Sequence, residues 1–433
     1  ILVRVASAIP CPGVDPTALK MFIDQLMQSE GGGIVQTVNL FSGGALEKFA
    51  IAALGIMPYI SASIIMQILM PVFPALEKLQ REGETGRGKI SQYTRYLTIL
   101  ICLIQGFMIA YTIVNPQTLD INLGRKMYDG SQFGFMFMTI VVLTATTMVF
   151  MWLGEQVTER GIGNGVSIII TVGIIARMPQ AVIELITMTY QGHSASGSNF
   201  RVVHLLILLI IFVAVTALTI MLTQGYRKVP IQIARKTVGS QVRGGTTYMP
   251  LKVNLANVMP IIFGGMFMMI PGPVFGFIAQ RWEAGSSVFY ALNSAFSNHT
   301  SVPYMVVYAA LIMGCSFLWV ANIFNPGQIS ENLKRDGAYI PGIPPGQATA
   351  KYLDSTMTKV TFGGAVFLTA LALFPTILTE QFGVSFIVSS FFGGTSILIM
   401  VGVVLETMTQ LESHLTMRNY DGFLKSGRLR GRR

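Results

Sequence analysis

The sequence predicts an all-α polytopic membrane protein, and three observations carry that class. The 433 residues are 52% hydrophobic and only 12% charged, whereas a soluble chain of this length carries about 25% charged residues. The mean hydropathy is +0.58. Apolar runs with almost no charge recur along the whole chain, each near the roughly 20 residues that a bilayer crossing requires.

The opening stretch ILVRVASAIP is about half a span in length. It reads as the tail of a first membrane helix whose start lies before Ile1. No Ala-x-Ala-like site follows, which argues against a cleaved signal peptide. Cys11–Leu40 is rich in Pro, Gly and Asp and is expected to be a surface loop.

The next piece, Phe41–Lys48, is half polar and carries Gly43-Gly44. It runs into an uncharged stretch from Phe49 to Leu76. The first part is too short and polar to cross a bilayer; a full span follows from about Ala53 to Phe73. A broken segment of this kind is tolerated at membrane depth only where it is buried in protein or lines a cavity. The stretch therefore suggests a path through the membrane with something folded into it.

Further spans are expected near Tyr93–Val114, Phe133–Leu153, Val166–Met188, Val203–Gln224, Leu255–Ala279, Pro303–Phe324, Lys359–Thr379 and Val384–Thr407. With the opening helix these make ten. The net charge is +10, which in a membrane protein bears first on orientation and anionic lipid. Most of the 30 basic residues fall in alternate loops and in the tail that holds Arg418, Lys425 and Arg433. That bias places the C-terminus in the cytoplasm.

Two cytoplasmic segments are long. Gly225–Asn254 mixes β-branched and basic residues around Gly244-Gly245, and a protruding hairpin is expected. Asn325–Thr358 carries the turn-rich Pro341–Gly346. Both can be plain solvated connectors. Structureless loops of such length are usually functional or disordered, and two basic protrusions on one face suit an acidic or RNA-containing partner.

Catalytic and metal chemistry find no support, so neither an enzyme nor a cofactor is expected. His193, His204, His299 and His414 are scattered, and Cys11, Cys102 and Cys315 lie far apart. Gly161-Ile-Gly163-Asn-Gly165 lacks the Lys-Ser/Thr of a phosphate loop and reads as a tight turn into the fifth span. Asn298-His-Thr300 matches a glycosylation pattern, relevant only in a eukaryotic secretory context. The spans are nearly free of ionisable residues; Glu406 lies near the end of the last, and Arg177 and Glu184 in the outer part of the fifth. Ion-coupled pumps keep such groups inside the membrane. A passive conduit, an apolar-ligand carrier and a scaffold remain. Gln67, Gln105 and Asn322 read as interhelical hydrogen bonds rather than substrate contacts.

The motifs FSGGAL, ALGIMPYISASIIMQIL, EGETGRGKISQYTRY, MWLGEQVTERGIGNGVSIII, MPLKVNLANVMPIIF, NLKRDGAYIPGIPPGQATAKYLD and FGGTSILI resemble the bacterial SecY family, from about Ile9 to the tail. These are the channel subunits of protein translocons. The resemblance implies ten transmembrane helices in two inverted five-helix halves around a central hourglass pore, with a plug and a lateral gate. The halves would be residues 1–190 and 191–408, followed by a basic tail at 409–433. The gate would lie between the second and third spans on one side and the seventh and eighth on the other. The plug falls on Phe41, Ser42, Gly43, Gly44, Ala45 and Leu46. The apolar pore ring falls on Ile56, Ile60, Ile170, Ile174, Ile262 and Ile399.

Physical chemistry agrees with that carry-over. Ile56/Ile60 and Ile170/Ile174 are i,i+4 pairs on one helix face. An apolar constriction stays dry and blocks ions, and its non-directional contacts tolerate many passing sequences. The resemblance further implies small SecE-like and SecG-like membrane subunits, the SecA ATPase or the ribosome docking on the basic loops, and signal peptides, nascent chains and anionic phospholipid as ligands. Docking candidates are Arg227, Lys228, Arg235, Lys236 and Arg243 in one loop, and Lys334, Arg335 and Lys351 in the other. Two positions depart from the family pattern. Pro344 stands where relatives commonly have Arg in Gly-Ile-Arg-Pro-Gly, and Ser240-Gln241 stands where they often have paired basic residues. A small-solute channel and a loop-based scaffold are the competing readings.

Overall fold

The computed structural model describes residues 1–28, 39, 42–115, 127–128, 130–161, 163–191, 202–233, 236–238, 241–243, 246–268, 270–281 and 286–426. Its contacts divide the chain into two units, Ile1–Ile183 with Ile399–Arg433, and Glu184–Leu398. Among the described residues seven spans are long and apolar enough to cross a membrane, one of them Gly165–Gln191 taken across a two-residue turn, and Met57–Met70 and Met259–Met268 are shorter apolar helices.

The first unit begins with α1 (Leu2–Ala8) and α2 (Pro16–Gln28). The sequence composition of Cys11–Leu40 suggested a loop, and α2 corrects that. The Asp15 carboxylate accepts from the Thr17 amide at 2.9 Å, as an N-cap does. Ala18, Leu19, Phe22 and Ile23 then share one face, pack with Cys11, Phe49, Ile113, Met127 and Phe135, and are all buried. Helical spacing outweighs the loop-like composition once that face finds a core.

Residues 42–49 and 51–56 form turns on either side of a bridge between Ala50 and Pro10, and α3 (Met57–Val72) starts at Met57 rather than Ala53, with Pro58 in its first turn. A short α4 (Pro74–Arg81) leads into α5 (Glu84–Val114), which packs along α6 (Gln132–Arg160). Arg95 of α5 and Glu155 of α6 meet in a two-pronged ion pair at 3.1 and 2.7 Å.

Within Gly161–Gly165, Ile162 lies outside the described residues and Gly163 has φ 91. Asn164 caps α7 (Gly165–Ile175) by accepting from the Val166 and Ser167 amides at 3.0 and 3.3 Å. The Gly163 amide donates to the Gln410 side chain at 2.6 Å. Any side chain at Gly165 would collide with the Gly154 carbonyl. The fifth span is not continuous: α8 (Met178–Gln191) starts anew after Ala176-Arg177.

In the second unit α9 (Val202–Gln224) leads to the expected hairpin. Its strands are β1 (Tyr226–Ile233), β2 (Lys236–Val238), β3 (Gln241–Arg243) and β4 (Thr246–Lys252), with β1 antiparallel to β4 and β2 to β3. The seventh span is broken into α10 (Met259–Met268) and α11 (Pro271–Arg281), and α12 (Ser286–Ser297) packs back on α11. Then come α13 (Val302–Ile323), α14 (Pro326–Arg335) and β5 (Ala338–Tyr339). The long α15 (Gln347–Phe382) contains Pro375. The last expected span starts as a separate turn of helix, α16 (Phe386–Phe392), before α17 (Gly394–Ser426).

Hydroxyls inside the spans bond back along their own helix. Thr98 Oγ1 donates to the Thr94 carbonyl at 2.7 Å, and Ser316 Oγ to the Ile312 carbonyl at 2.7 Å. Such bonds satisfy polar groups where no water is available.

Candidate functional site

The stretch that the sequence marked as a broken segment is folded into the first unit, and its described residues are held from several sides. Phe41 lies outside the described residues. Ser42, Gly43 and Ala45 are buried, and Gly44 and Leu46 are half-buried. Ala45, Ala50 and Ala52 pack with Phe150 of α6 and against Val3 and Ala6 of α1. Leu46 packs against Ala53, Leu54 and Leu143. Downstream, the Cys11 amide donates to the Phe49 carbonyl and the Ile51 amide to the Ile9 carbonyl, both at 2.9 Å. These two bonds tie the chain after the segment to the chain after α1. Phe49, the acceptor of the first bond, has φ 42, a left-handed conformation uncommon for a side chain of its size.

The two glycines are required by the geometry. Gly43 has φ +67, and a Cβ there would stand 3.1 Å from the Gly173 Cα and 3.2 Å from its carbonyl oxygen. Gly44 has φ +85, and its Cβ would stand 3.3 Å from Arg177 Nε. A glycine pair thus lets the segment lie directly on the backbone of α7 and beneath the Arg177 side chain.

Polar bonds complete the seat. Asn39 organises the turn: its carbonyl accepts from the Gly44 amide at 3.0 Å and from Ser42 Oγ at 3.2 Å. Its side-chain oxygen accepts from the Glu47 amide at 3.2 Å, and its Nδ2 donates to Glu47 Oε2 at 3.2 Å. Arg4 of α1 donates to the Gly43 carbonyl at 3.1 Å. Arg177, at the break between α7 and α8, donates to Glu47 Oε2 at 2.6 Å. The Arg177 side chain is 6% exposed and that of Glu47 37%.

Sequence reasoning missed this set of bonds. Its traces were a lone arginine in an apolar span followed by Met-Pro, and one carboxylate in the half-polar piece. Nothing in the sequence indicated that residues 130 positions apart meet.

All six ring isoleucines are buried: Ile56, Ile60, Ile170, Ile174, Ile262 and Ile399 are 3, 6, 7, 0, 8 and 4% exposed. Ile56 is not helical but caps α3. The Ile60 amide still donates to its carbonyl at 3.2 Å, so the two remain one turn apart. Ile170 and Ile174 both belong to α7. Five of the six lie in the first unit and Ile262 lies in the second.

The basic candidates lie mainly on the hairpin and the segment after α13. Arg227 and Lys228 are exposed on β1, and the Lys228 ammonium sits 5.5 Å from the Tyr226 ring centroid. Lys236 and Arg243 are register partners of β2 and β3. Arg235 lies outside the described residues, as does Ser240 of the departure at Ser240-Gln241. Lys334 and Arg335 are exposed in the last turn of α14, where they complement the helix dipole. Lys351 is exposed near the start of α15. The structure joins the two loops: β5 pairs with β1 through Gln232↔Tyr339 and Ile233↔Ala338, giving one sheet of order β4-β1-β5.

The turn with Pro344 is pinned to its neighbours. Ser330 Oγ donates to the Gly346 carbonyl at 2.6 Å, and Thr349 Oγ1 to the Pro344 carbonyl at 2.9 Å. Ser330 is 3% exposed. Ser330→Ala should therefore cost about 1 kcal/mol locally and speed limited proteolysis between Pro341 and Gly346 at unchanged overall unfolding temperature. An unchanged cleavage rate would remove Ser330 as the clamp.

Among the described residues no group of three or more His, Cys, Asp or Glu could hold a metal.

Comparison with known proteins agrees with this fold. The SecY family model matches residues 50–408. The chain is 41% identical over 435 residues to the protein translocase subunit SecY of Haemophilus influenzae, covering 100% of this chain and 92% of that protein. A solved SecY, described for a plug domain that stabilises the closed state of its translocation channel and maintains a membrane seal, gives a TM-score of 0.53 at 15% identity, over 95% of this chain and 89% of that one. Sec61 from the canine ribosome-channel complex of the endoplasmic reticulum gives 0.52 at 14% identity, over 95% and 89%.

Proposed function

The chain belongs to the SecY family, and on that premise we propose that it is the channel subunit of a protein translocase. It passes unfolded secretory polypeptides across the membrane and releases apolar segments sideways into lipid. The observation that carries this reading is the match along the whole chain at 41% identity. The channel does no covalent chemistry; the work of translocation comes from partners.

The parts take the following roles. Residues 41–46 are the plug. Ile56, Ile60, Ile170, Ile174, Ile262 and Ile399 form the apolar pore ring, and burial of all six supports the assignment. Residues 1–190 and 191–408 are the two halves of the channel. The lateral gate is the seam with α3 and α5 on one side and α10–α11 and α13 on the other. The sheet β4-β1-β5 and the end of α14 form the docking face for SecA or the ribosome. Its contacts come from Arg227, Lys228, Arg235, Lys236, Arg243, Lys334, Arg335 and Lys351. The joining of both basic loops in one sheet supports a single face. Small SecE-like and SecG-like subunits complete the complex, and anionic phospholipid surrounds it. The protein resides in the bacterial inner membrane with its C-terminus cytoplasmic, supported by the bias of basic residues to alternate loops.

Reconstitution tests the reading. Proteoliposomes with this chain, the two small subunits and SecA should protect a secretory precursor from added protease in an ATP-dependent manner. Saturable uptake of a small solute without precursor import would favour a solute carrier instead.

A further inference from the structure

We infer that the second unit holds a binding site for one structural water, formed by Thr361 of α15, Ser316 of α13 and Asn254, and that this water ties the neck of the hairpin to the two helices. The inference does not depend on the channel reading.

Thr361 departs from the pattern of its own helix. On α15 the hydroxyls of Thr358, Thr369 and Thr379 donate to the carbonyls of Asp354, Ala365 and Pro375, four residues earlier, at 2.9, 2.8 and 3.0 Å. Thr361 is 4% exposed, yet its Oγ1 has no hydrogen-bond partner among the described residues. A buried hydroxyl left in that condition carries its full desolvation cost.

A cavity of about 10 Å³ lies beside it, lined also by Asn254 and Ser316. Its size is near the ~10–15 Å³ needed to hold one water. Asn254 is 4% exposed, and among the described residues nothing bonds its side chain. Ser316 is 1% exposed and donates its hydroxyl hydrogen to the Ile312 carbonyl at 2.7 Å, which leaves its oxygen as an acceptor. Thr361 and Asn254 can each donate and accept. Three such groups match the ~3 hydrogen bonds that a buried water typically makes. The remaining wall is mostly apolar, with Ala365 and Leu368 from α15, so the polar groups fix where the water sits.

The surrounding chain explains why a water serves here. Val253–Val258, between β4 and α10, is neither strand nor helix. Such backbone at the start of a span is satisfied by protein or by water. It also lies close against α15. A Cβ at Gly364 would stand 2.8 Å from the Val253 carbonyl oxygen. On its other side the Val253 amide donates to the Gly225 carbonyl at 2.9 Å, joining the end of β4 to the chain just after α9. The water therefore bridges the neck of the hairpin to α13 and α15 at the point where the seventh span begins.

Two measurements on the full chain with its partner subunits test this. The first is a density map at a resolution where ordered waters are visible. It should show one water within hydrogen-bond distance of Thr361 Oγ1 and of the Asn254 side chain; a dry cavity would overturn the site. The second is hydrogen exchange of the backbone amides of Lys252–Val258 in the wild type, Thr361→Val and Thr361→Ser. Valine keeps the shape and removes the hydroxyl, while serine keeps the hydroxyl. Exchange should be several-fold faster in Thr361→Val and unchanged in Thr361→Ser. In a dry cavity valine only relieves an unpaired hydroxyl, so exchange that is unchanged or slower in Thr361→Val would overturn the bridge. Equal acceleration in both variants would assign the effect to packing of the threonine methyl and would overturn it as well.

Discussion

Ile174→Asn should raise the resting ion conductance of the closed channel in planar bilayers, by about ten-fold or more. Ile174 is 0% exposed, on the same helix face as Ile170. An apolar constriction excludes ions by staying dry, and an asparagine amide gives water two donors and an acceptor to hold. A buried amide without partners costs roughly 1–3 kcal/mol in proteins, and hydrating the constriction is the simplest way to recover it. Ile60→Asn, at a site 6% exposed, should behave alike, and export of proteins with weak signals should rise in both. Unchanged conductance with normal membrane levels would remove these residues from the ring.

Gly43→Val should displace the segment from its seat. Two effects add. The residue sits at φ +67, which a β-branched side chain strongly disfavours, and its Cβ would press on the Gly173 backbone at 3.1 Å. The left-handed conformation alone costs about 1–2 kcal/mol, and the neighbouring atoms are backbone with little room to yield. The readout is a Ser42→Cys probe in a background without the native cysteines. Ser42 is 7% exposed, so the probe alone should react slowly with a membrane-impermeant maleimide, and several-fold faster with Gly43→Val added. Equal rates would show that the glycine is not what keeps the segment seated.

Much of this architecture was legible in the sequence. Charge-free runs announce spans because the bilayer leaves them no alternative, and β-branched and basic residues around Gly244-Gly245 announced the hairpin. The misreadings share a cause. Composition marked Cys11–Leu40 as loop, yet Ala18, Leu19, Phe22 and Ile23 form the buried face of α2. Hydropathy also averages over breaks, so the interruptions at Ala176-Arg177 and between Met268 and Pro271 went unseen. A break costs little hydropathy but changes what the backbone can present. At the candidate site the glycine pair and the ring isoleucines were visible as motifs. The Arg177–Glu47 pair was not, because a contact across 130 residues has no local signature. The pairing of β5 with β1 was hidden for the same reason: two residues of strand carry almost no pattern of their own.

The most direct test of a polypeptide path past these isoleucines is site-specific photocrosslinking to a stalled secretory chain. A probe replaces Ile60 or Ile174, and a control probe replaces Ile210 of α9, which is 66% exposed. The account predicts adducts with the stalled chain from Ile60 and Ile174 and none from Ile210. Adducts absent at both ring positions, or equally strong at Ile210, would contradict it.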